Sequence, residues 1–149
     1  MNNTDFTVRK MEESDIPLVA LIEKECFSSP WTKAGLLTET KNPSAEFFVL
    51  ESENNLAAYM GMHIVLDECY IANVAVKKDF RKRGFGKILV ENALTVAKQK
   101  GCAFITLEVR VGNLAAISLY EKCGFEKVGE RKNFYTCPTE NALIMTKYF

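Results

Sequence analysis

The stretch "RKRGFGK", residues 81–87, separates a β-like run from a helix-like run. Its four cations lie at or just before the start of the helix. A helix N-terminus carries about half a positive charge, so cations there cost a few tenths of a kcal/mol each. A glycine-rich loop that opens a helix also presents free backbone N–H groups to an anion. We therefore expect a phosphate or pyrophosphate to bind here, the alternative being a solvated cationic turn.

Two common phosphate-binding motifs do not fit this loop. A P-loop requires Lys followed by Ser or Thr and a Gly five residues before the last Gly. Here Ile88 follows Gly86-Lys87, and Arg81 stands where that Gly would be. A dinucleotide fingerprint would need a third Gly at Leu89. These failures disfavour a nucleotide-hydrolysing enzyme.

The sequence on both sides of the loop predicts a βαβ unit. "CYIANVAV" (69–76) is β-rich, and the apolar positions after the loop have helical spacing up to a C-capping Gly101. "CAFITLEV" (102–109) is apolar on both faces, as a buried parallel strand is. Strand, loop, helix and strand therefore form one βαβ unit.

The remaining elements extend this unit into an α/β domain with a mixed sheet. The order that we predict is β-α-α-β-β-β-α-β-α-β-β, in a single domain over residues 1–149. The elements outside the βαβ unit are a strand at 6–11, a helix at 15–27 capped by Ser14, a short helix capped by Thr32 and ending at about Lys41, a hairpin around "ENN", a helix at 113–125 capped by Asn113, and two final strands.

Composition excludes several classes of protein. Lys+Arg and Asp+Glu both number 19, which gives no charge-based reason to expect nucleic-acid binding. Five cysteines without a CxxC pair, and a single His63, suggest neither a disulfide framework nor a metal site. The start of the chain is polar and has no apolar signal core, and no apolar run reaches the ~18 residues that span a bilayer. We expect a cytoplasmic protein.

A family resemblance extends this interpretation. "RKRGFG" (81–86) matches the [R/Q]-x-x-G-x-[G/A] motif of the Gcn5-related N-acetyltransferases (GNAT), and "NVAVKKDFRKRGFG" and "NLAAISLYEKCGF" resemble that family's signatures. The resemblance implies an acetyl-CoA-dependent N-acetyltransferase. It also implies the GNAT fold, a mixed, mostly antiparallel seven-stranded sheet flanked by about four helices.

The same resemblance assigns the cofactor-binding residues. Backbone groups of Val74, Ala75 and Val76 would bind the pantetheine arm of acetyl-CoA, and Asn113 would hydrogen-bond that arm. The loop would hold the pyrophosphate through Arg81, Lys82, Arg83, Gly84, Phe85, Gly86 and Lys87.

Two residues are candidates for the chemistry. Glu108 lies within the apolar strand "ITLEVR" and could be a general base, or it could form an ordinary ion pair with Arg110 on the same strand face. Tyr120 could be a core aromatic residue. The resemblance instead makes it the general acid for the departing thiolate and moves Glu108 towards the role of base. The oxyanion would then be held by a backbone N–H of residues 74–76.

The acceptor is suggested by resemblance to one branch of the family. "CFSSPWT" (26–32), "LEVRVGNLAAISLYEKCGF" and "RKNFY" (131–135) resemble the bacterial ribosomal-protein-alanine N-acetyltransferases, although Phe134 replaces a tyrosine. The implied partner is a protein N-terminus, that of a small-subunit ribosomal protein, bound by a monomeric enzyme. Asp67, Glu68 and Tyr135 are our candidates for the peptide groove, with a solvated turn as the alternative for the first two. A lysine or small-amine acceptor, or a non-enzymatic acyl-CoA sensor, remains open.

Overall fold

A computed structural model describes residues 5–149 of the chain, which form seven strands and four α-helices. The order of elements is the predicted one. We expected a single domain over residues 1–149. Its first four residues, 1–4, lie outside the described residues. In chain order the elements are β1 (Thr7–Lys10), α1 (Ile16–Cys26), α2 (Lys33–Thr40), β2 (Ala45–Ser52), β3 (Asn55–Val65), β4 (Glu68–Val76), α3 (Phe85–Gln99), β5 (Phe104–Arg110), α4 (Leu114–Lys122), β6 (Glu126–Tyr135) and β7 (Glu140–Tyr148).

All seven strands belong to one sheet with the order β1-β2-β3-β4-β5-β7-β6. Only the β4–β5 pair is parallel, and the other described pairs are antiparallel. The predicted mixed, mostly antiparallel sheet is therefore confirmed. The predicted βαβ unit is β4–α3–β5, with the loop of residues 81–84 before α3.

Helices cover both faces of the sheet. Four successive residues of β2, Phe47 to Leu50, are buried although neighbouring strand residues point to opposite faces. Phe48 and Leu50 pack in the cluster that contains the buried side of α3, including Leu89. Phe47 and Val49 pack in the cluster formed with α1 and α2. β2 is therefore apolar on both faces over these four residues.

The start of α1 differs from the prediction. Ser14 lies in a short 3-10 turn, and the residue that precedes α1 is Asp15. Both carboxylate oxygens of Asp15 accept hydrogen bonds from Arg9 of β1, each at 2.8 Å. The Arg9 guanidinium lowers the pKa of Asp15 below its usual value. A link between the helix start and β1 replaces the expected Ser14 cap.

The structure also corrects the expectation for β5. Ile105, Leu107 and Val109 are buried, but the residues between them are only partly so. The strand is therefore not apolar on both faces, because its second face carries polar residues such as Glu108.

By contrast, the Thr32 cap of α2 is confirmed by a hydrogen bond of 3.0 Å from the Gly35 N–H to its hydroxyl.

Two further expectations concern the chain as a whole. All five cysteines are free thiols. Among the helices described in residues 5–149, none has the length and apolar character needed to cross a bilayer.

Candidate active site

A cleft opens where β4 and β5 separate. The parallel pairing of these strands ends at Tyr70 and Thr106, although β4 continues to Val76 and β5 to Arg110. The cleft has a volume of about 430 Å³ and is lined by both strands and by residues of α1, α4 and the segments that follow α1 and β6. Parallel neighbours that part in this way leave backbone groups without a strand partner.

The edge of β4 along this cleft carries the predicted arm-binding residues. Val74, Ala75 and Val76 pair with β3 on one side, and in the described sheet β5 no longer pairs with them on the other. Val74 also lines the cleft. An extended chain can add to such an edge through main-chain hydrogen bonds. The geometry therefore suits an extended ligand arm.

The loop before α3 presents backbone amides. Lys82 and Gly84 both have positive φ angles, 64° and 82°, which turn the chain sharply. The first hydrogen bond of α3 runs from the Ile88 N–H to the Gly84 carbonyl, at 3.1 Å. The N–H groups of residues 85–87 precede that bond and have no intrahelical acceptor. Together with the helix dipole they could bind an anion.

The loop side chains are used differently from one another. Arg81 donates to the Val76 carbonyl at 3.0 Å. Arg83 pairs with Glu53 at 2.5 Å and stacks over Phe80, 4.9 Å from its ring centre. Two of the loop's cations are therefore partly neutralised or engaged by the protein itself. The remaining two, Lys82 and Lys87, are exposed beside the amides.

Phe85 and Asn113 reach this region in different ways. The Phe85 side chain is 1% exposed and stacks on Phe80, so only its backbone can face a ligand. Asn113 caps α4 as predicted, because its Oδ1 accepts a hydrogen bond of 3.2 Å from the Ala116 N–H. Asn113 also lines the cleft, where its amide nitrogen can still donate to a ligand.

Glu108 lies in the wall of the cleft with a partner on each carboxylate oxygen. The Tyr70 hydroxyl donates to Oε1, and Arg131 of β6 lies 2.6 Å from Oε2. The Glu108 side chain is 10% exposed. The ion pair that we weighed for Glu108 therefore exists, but with Arg131 instead of Arg110.

Arg110 connects two loops that border the cleft. It pairs with Glu140 at 3.1 Å and donates to the carbonyls of Thr136 and Pro138 at 3.0 and 2.9 Å. Its guanidinium lies 4.5 Å from the ring centre of Tyr135, and a longer contact of 3.4 Å reaches Ser28. One side chain thus fixes the segment between β6 and β7 against the segment after α1.

Tyr120 has features of both roles considered for it. It is 8% exposed and packs against Phe125, with ring centres 5.7 Å apart. It also lines the cleft. Burial raises the pKa of the Tyr120 phenol well above its usual value, so the group is protonated at neutral pH. A buried ring with a protonated hydroxyl at the cleft could donate a proton there.

The candidates for the peptide groove divide. Tyr135 lines the cleft, and burial raises its pKa to about 12. Asp67 is exposed in the turn before β4 and Glu68 is exposed as the first residue of that strand, at the end away from the cleft. Among the described residues, no group of three or more His, Cys, Asp or Glu side chains is arranged to hold a metal ion.

Sequence reasoning missed the polar cluster on the α1 side of the cleft. Glu23 is 0% exposed, and both Glu23 and Asn73 line the cleft. A signal was present, because Glu23 continues the inward spacing of Ile16, Val19 and Ala20 along α1. A carboxylate in an apolar helix stripe must find buried donors. Tyr70 and Arg131 carried no such local signal.

This cleft, with an extended strand edge, an amide loop at a helix start and a carboxylate in its wall, matches a family of acyl-transferring enzymes. Residues 16–125 match the model of the acetyltransferase (GNAT) family, and the chain belongs to that family. It is an N-acetyltransferase, and enzymes of this family use acetyl-CoA.

Named relatives match nearly the whole chain. A relative in Bacillus subtilis (strain 168), provisionally named a [ribosomal protein bS18]-alanine N-acetyltransferase, is 42% identical over 95% of this chain and 95% of its own length. The [ribosomal protein bS18]-alanine N-acetyltransferase of Escherichia coli (strain K12) is 34% identical over 93% and 95%. The crystal structure of the ribosomal-protein-S18-alanine N-acetyltransferase from Escherichia coli superposes with a TM-score of 0.89 at 32% identity, covering 96% of this chain and 93% of that one.

The residues present suit acetyl-CoA. The strand edge at 74–76 can pair with an extended amide-containing arm, and the amides of residues 85–87 can bind a pyrophosphate. Exposed Lys82 and Lys87 add positive charge at the same place.

Proposed function

We propose that this enzyme transfers the acetyl group of acetyl-CoA to the α-amino group at the N-terminus of a protein. The acceptor is the N-terminal alanine of a small-subunit ribosomal protein, and the reaction takes place in the cytoplasm. The observation that carries the proposal is the position of Glu108 in the cleft wall, between the cofactor edge of β4 and the loops joined by Arg110. The names of the 42% and 34% identical relatives support the acceptor.

Glu108 acts as the general base. An α-amino group has a pKa of about 8 and a lysine about 10.4, so an N-terminal amine loses its proton more readily near neutrality. The neutral amine attacks the thioester carbonyl, and its N–H proton passes to Glu108 directly or through one water. The Tyr70 hydroxyl and Arg131 fix the orientation of the carboxylate through its two oxygens.

Tyr120 acts as the general acid, and the strand edge stabilises the developing charge. As the carbon–sulfur bond breaks, the Tyr120 hydroxyl donates its proton to the leaving thiolate of coenzyme A. A backbone N–H within residues 74–76 donates to the oxyanion formed from the thioester carbonyl. Tyr120 regains a proton from Glu108 by way of solvent, so the neutral amine and acetyl-CoA give the acetylated amide and free coenzyme A.

Mass spectrometry of peptide acetylation tests the proposal. The purified protein and acetyl-CoA are given an alanine-starting peptide, the same peptide with a blocked N-terminus, and a panel of small amines. One acetyl group on the free N-terminus alone is the expected result. Acetylation of the blocked peptide or of small amines would assign another acceptor class. Bound acetyl-CoA without transfer to any acceptor would indicate an acyl-CoA sensor.

A further inference from the structure

A buried carboxylate that the mechanism above does not use lies beside the cleft. Glu23 of α1 is fully buried and accepts three hydrogen bonds. Oε1 accepts from the Trp31 N–H at 2.8 Å, and Oε2 accepts from the Tyr59 hydroxyl and from Nδ2 of Asn73 at 2.9 Å. Burial raises the pKa of Glu23. All three partners donate to Glu23, so both of its carboxylate oxygens act as hydrogen-bond acceptors.

This arrangement fixes the side-chain amide of Asn73. Nδ2 donates both to Glu23 and to the Tyr59 oxygen, the latter at 3.3 Å, so the NH₂ group faces the protein interior. The opposite rotamer would place the amide oxygen against a carboxylate oxygen, where no hydrogen bond forms. Oδ1 of Asn73, a hydrogen-bond acceptor, therefore points away from Glu23.

The backbone places this amide in the cleft at an irregular point of β4. Gly61 pairs with Asn73 and Met62 pairs with Ile71, which leaves Ala72 without a partner in β3. Such a bulge changes the direction of the neighbouring side chain. Asn73 lines the cleft, is only partly buried, and directly precedes Val74 of the cofactor edge.

We propose that Asn73 positions the attacking amine, with its Oδ1 accepting a hydrogen bond from an N–H of the acceptor's α-amino group. Glu23 and Tyr59 orient the amide for this contact without touching the substrate. A contact from Asn73 approaches the amine from β4, whereas Glu108 approaches it from β5, so the amine would be held from both strands that border the cleft. This inference rests on the proposed function, since it concerns the amine that attacks the thioester.

Steady-state kinetics of Asn73→Ala test the inference. Loss of one neutral hydrogen bond to the amine is expected to raise the KM for the alanine-starting peptide about tenfold. The dissociation constant of acetyl-CoA, measured by calorimetry, should stay within about twofold, because Asn73 precedes the cofactor edge and directs its side chain to the acceptor. Glu23→Gln should raise the peptide KM by a smaller factor. The Gln side chain has one accepting oxygen, whereas both oxygens of the Glu23 carboxylate accept hydrogen bonds. Matched controls are Asn55→Ala at the start of β3, whose residue does not line the cleft, and Glu25→Gln on α1.

Each outcome has one meaning. A higher peptide KM with unchanged acetyl-CoA binding supports the role of Asn73. An unchanged peptide KM in Asn73→Ala, or equal losses for peptide and acetyl-CoA together with a lower melting temperature, overturns it. If Asn73→Ala does not fold, the peptide KM of Glu23→Gln decides. If the wild type acetylates small amines only, the proposed acceptor is wrong and the same variants are compared with that amine. If it acetylates no amine, both proposals fall.

Discussion

Arg131 of β6 lies 2.6 Å from Oε2 of Glu108, so a strand at the end of the sheet order contacts the carboxylate that β5 places in the cleft. The Arg131 side chain is 57% exposed and that of Glu108 is 10% exposed. An ion pair so open to water contributes less than about 1 kcal/mol to the stability of the fold. We therefore expect it to matter for holding the carboxylate in one orientation.

A double-mutant cycle measures this coupling. Arg131→Gln should lower kcat, because Glu108 keeps only its Tyr70 partner. In a Glu108→Gln background the same change should have almost no further effect on kcat, since the group that Arg131 orients is gone. Additive losses in the double variant would show that Arg131 acts independently of Glu108.

Glu108→Gln should lower kcat by about 10² to 10⁴, the usual range for removal of a general base. Binding of acetyl-CoA should be unchanged, because the amide loop and the β4 edge are intact. Rapid-quench kinetics and calorimetry report the two quantities, and the exposed Glu126→Gln on β6 is the control. Equal losses of turnover and cofactor binding would contradict the assignment of Glu108 as base.

Tyr120→Phe should lower kcat by roughly 100-fold while leaving the melting temperature nearly unchanged. The ring packing against Phe125 is kept, and only the proton donor is lost. Tyr148→Phe, at a residue 63% exposed on β7, is the control. If kcat of Tyr120→Phe equals that of the wild type, Tyr120 is a core aromatic residue and the thiolate takes its proton from elsewhere.

Gly84→Asp should weaken acetyl-CoA binding by at least tenfold, because it places a negative side chain at the anion-binding amides. Gly101 offers a matched control at the other end of α3. Both glycines have φ near +80° and open space where a Cβ would be, so both substitutions strain the backbone alike. Gly101→Asp should lose stability but keep its cofactor affinity. Equal affinities in the two variants, measured by calorimetry, would refute the loop assignment.

Stability should fall in alkali because of buried phenols. Burial raises the pKa of Tyr59 and of Tyr120 well above the value of about 10 for an unfolded tyrosine. A raised folded-state pKa gives stability that is complete below pH ~10 and is lost as pH rises towards the folded value. Urea unfolding at pH 9, 10 and 11 should show this loss. In Tyr120→Phe the slope above pH 10 should be smaller by about 1.4 kcal/mol per pH unit. Identical slopes would mean that Tyr120 ionises freely in the fold.

Local patterns in the sequence predicted what depends on local physics. The sharp turn before α3 follows from the glycines at a helix start, and the Thr32 and Asn113 caps follow from side chains that reach an amide three residues away. The Ser14 cap failed because a 3-10 turn precedes α1, in which Asp15 accepts a hydrogen bond from the Glu12 N–H at 2.7 Å and also pairs with Arg9. Helical and strand periodicity gave the element order for the same local reason.

The partners of Glu108 and Arg110 could not be found in this way. Glu108 and Arg110 lie on the same face of β5, so the sequence suggested that they pair with each other. Their actual partners, Arg131 and Glu140, come from β6 and β7, which only the sheet order brings close. The separation of β4 from β5 is also invisible in sequence. Whether two neighbouring strands separate depends on where their hydrogen bonding stops. The same apolar residues occur in strands that stay paired and in strands that part, so the sequence does not mark the position.

That separation divides the sheet into two halves with a narrow joint. Within residues 5–149, three strand-paired positions, from Glu68–Phe104 to Tyr70–Thr106, connect β1–β4 with β5–β7 in the sheet, whereas β5 and β7 share seven. A ligand arm that pairs along β4 would add hydrogen bonds over the part of β4 that β5 leaves unpaired. The free enzyme is therefore expected to open locally between β4 and β5. Amide hydrogen exchange in these two strands should slow when acetyl-CoA binds. Cofactor supply would then govern how long each molecule survives proteolysis as well as how fast it works.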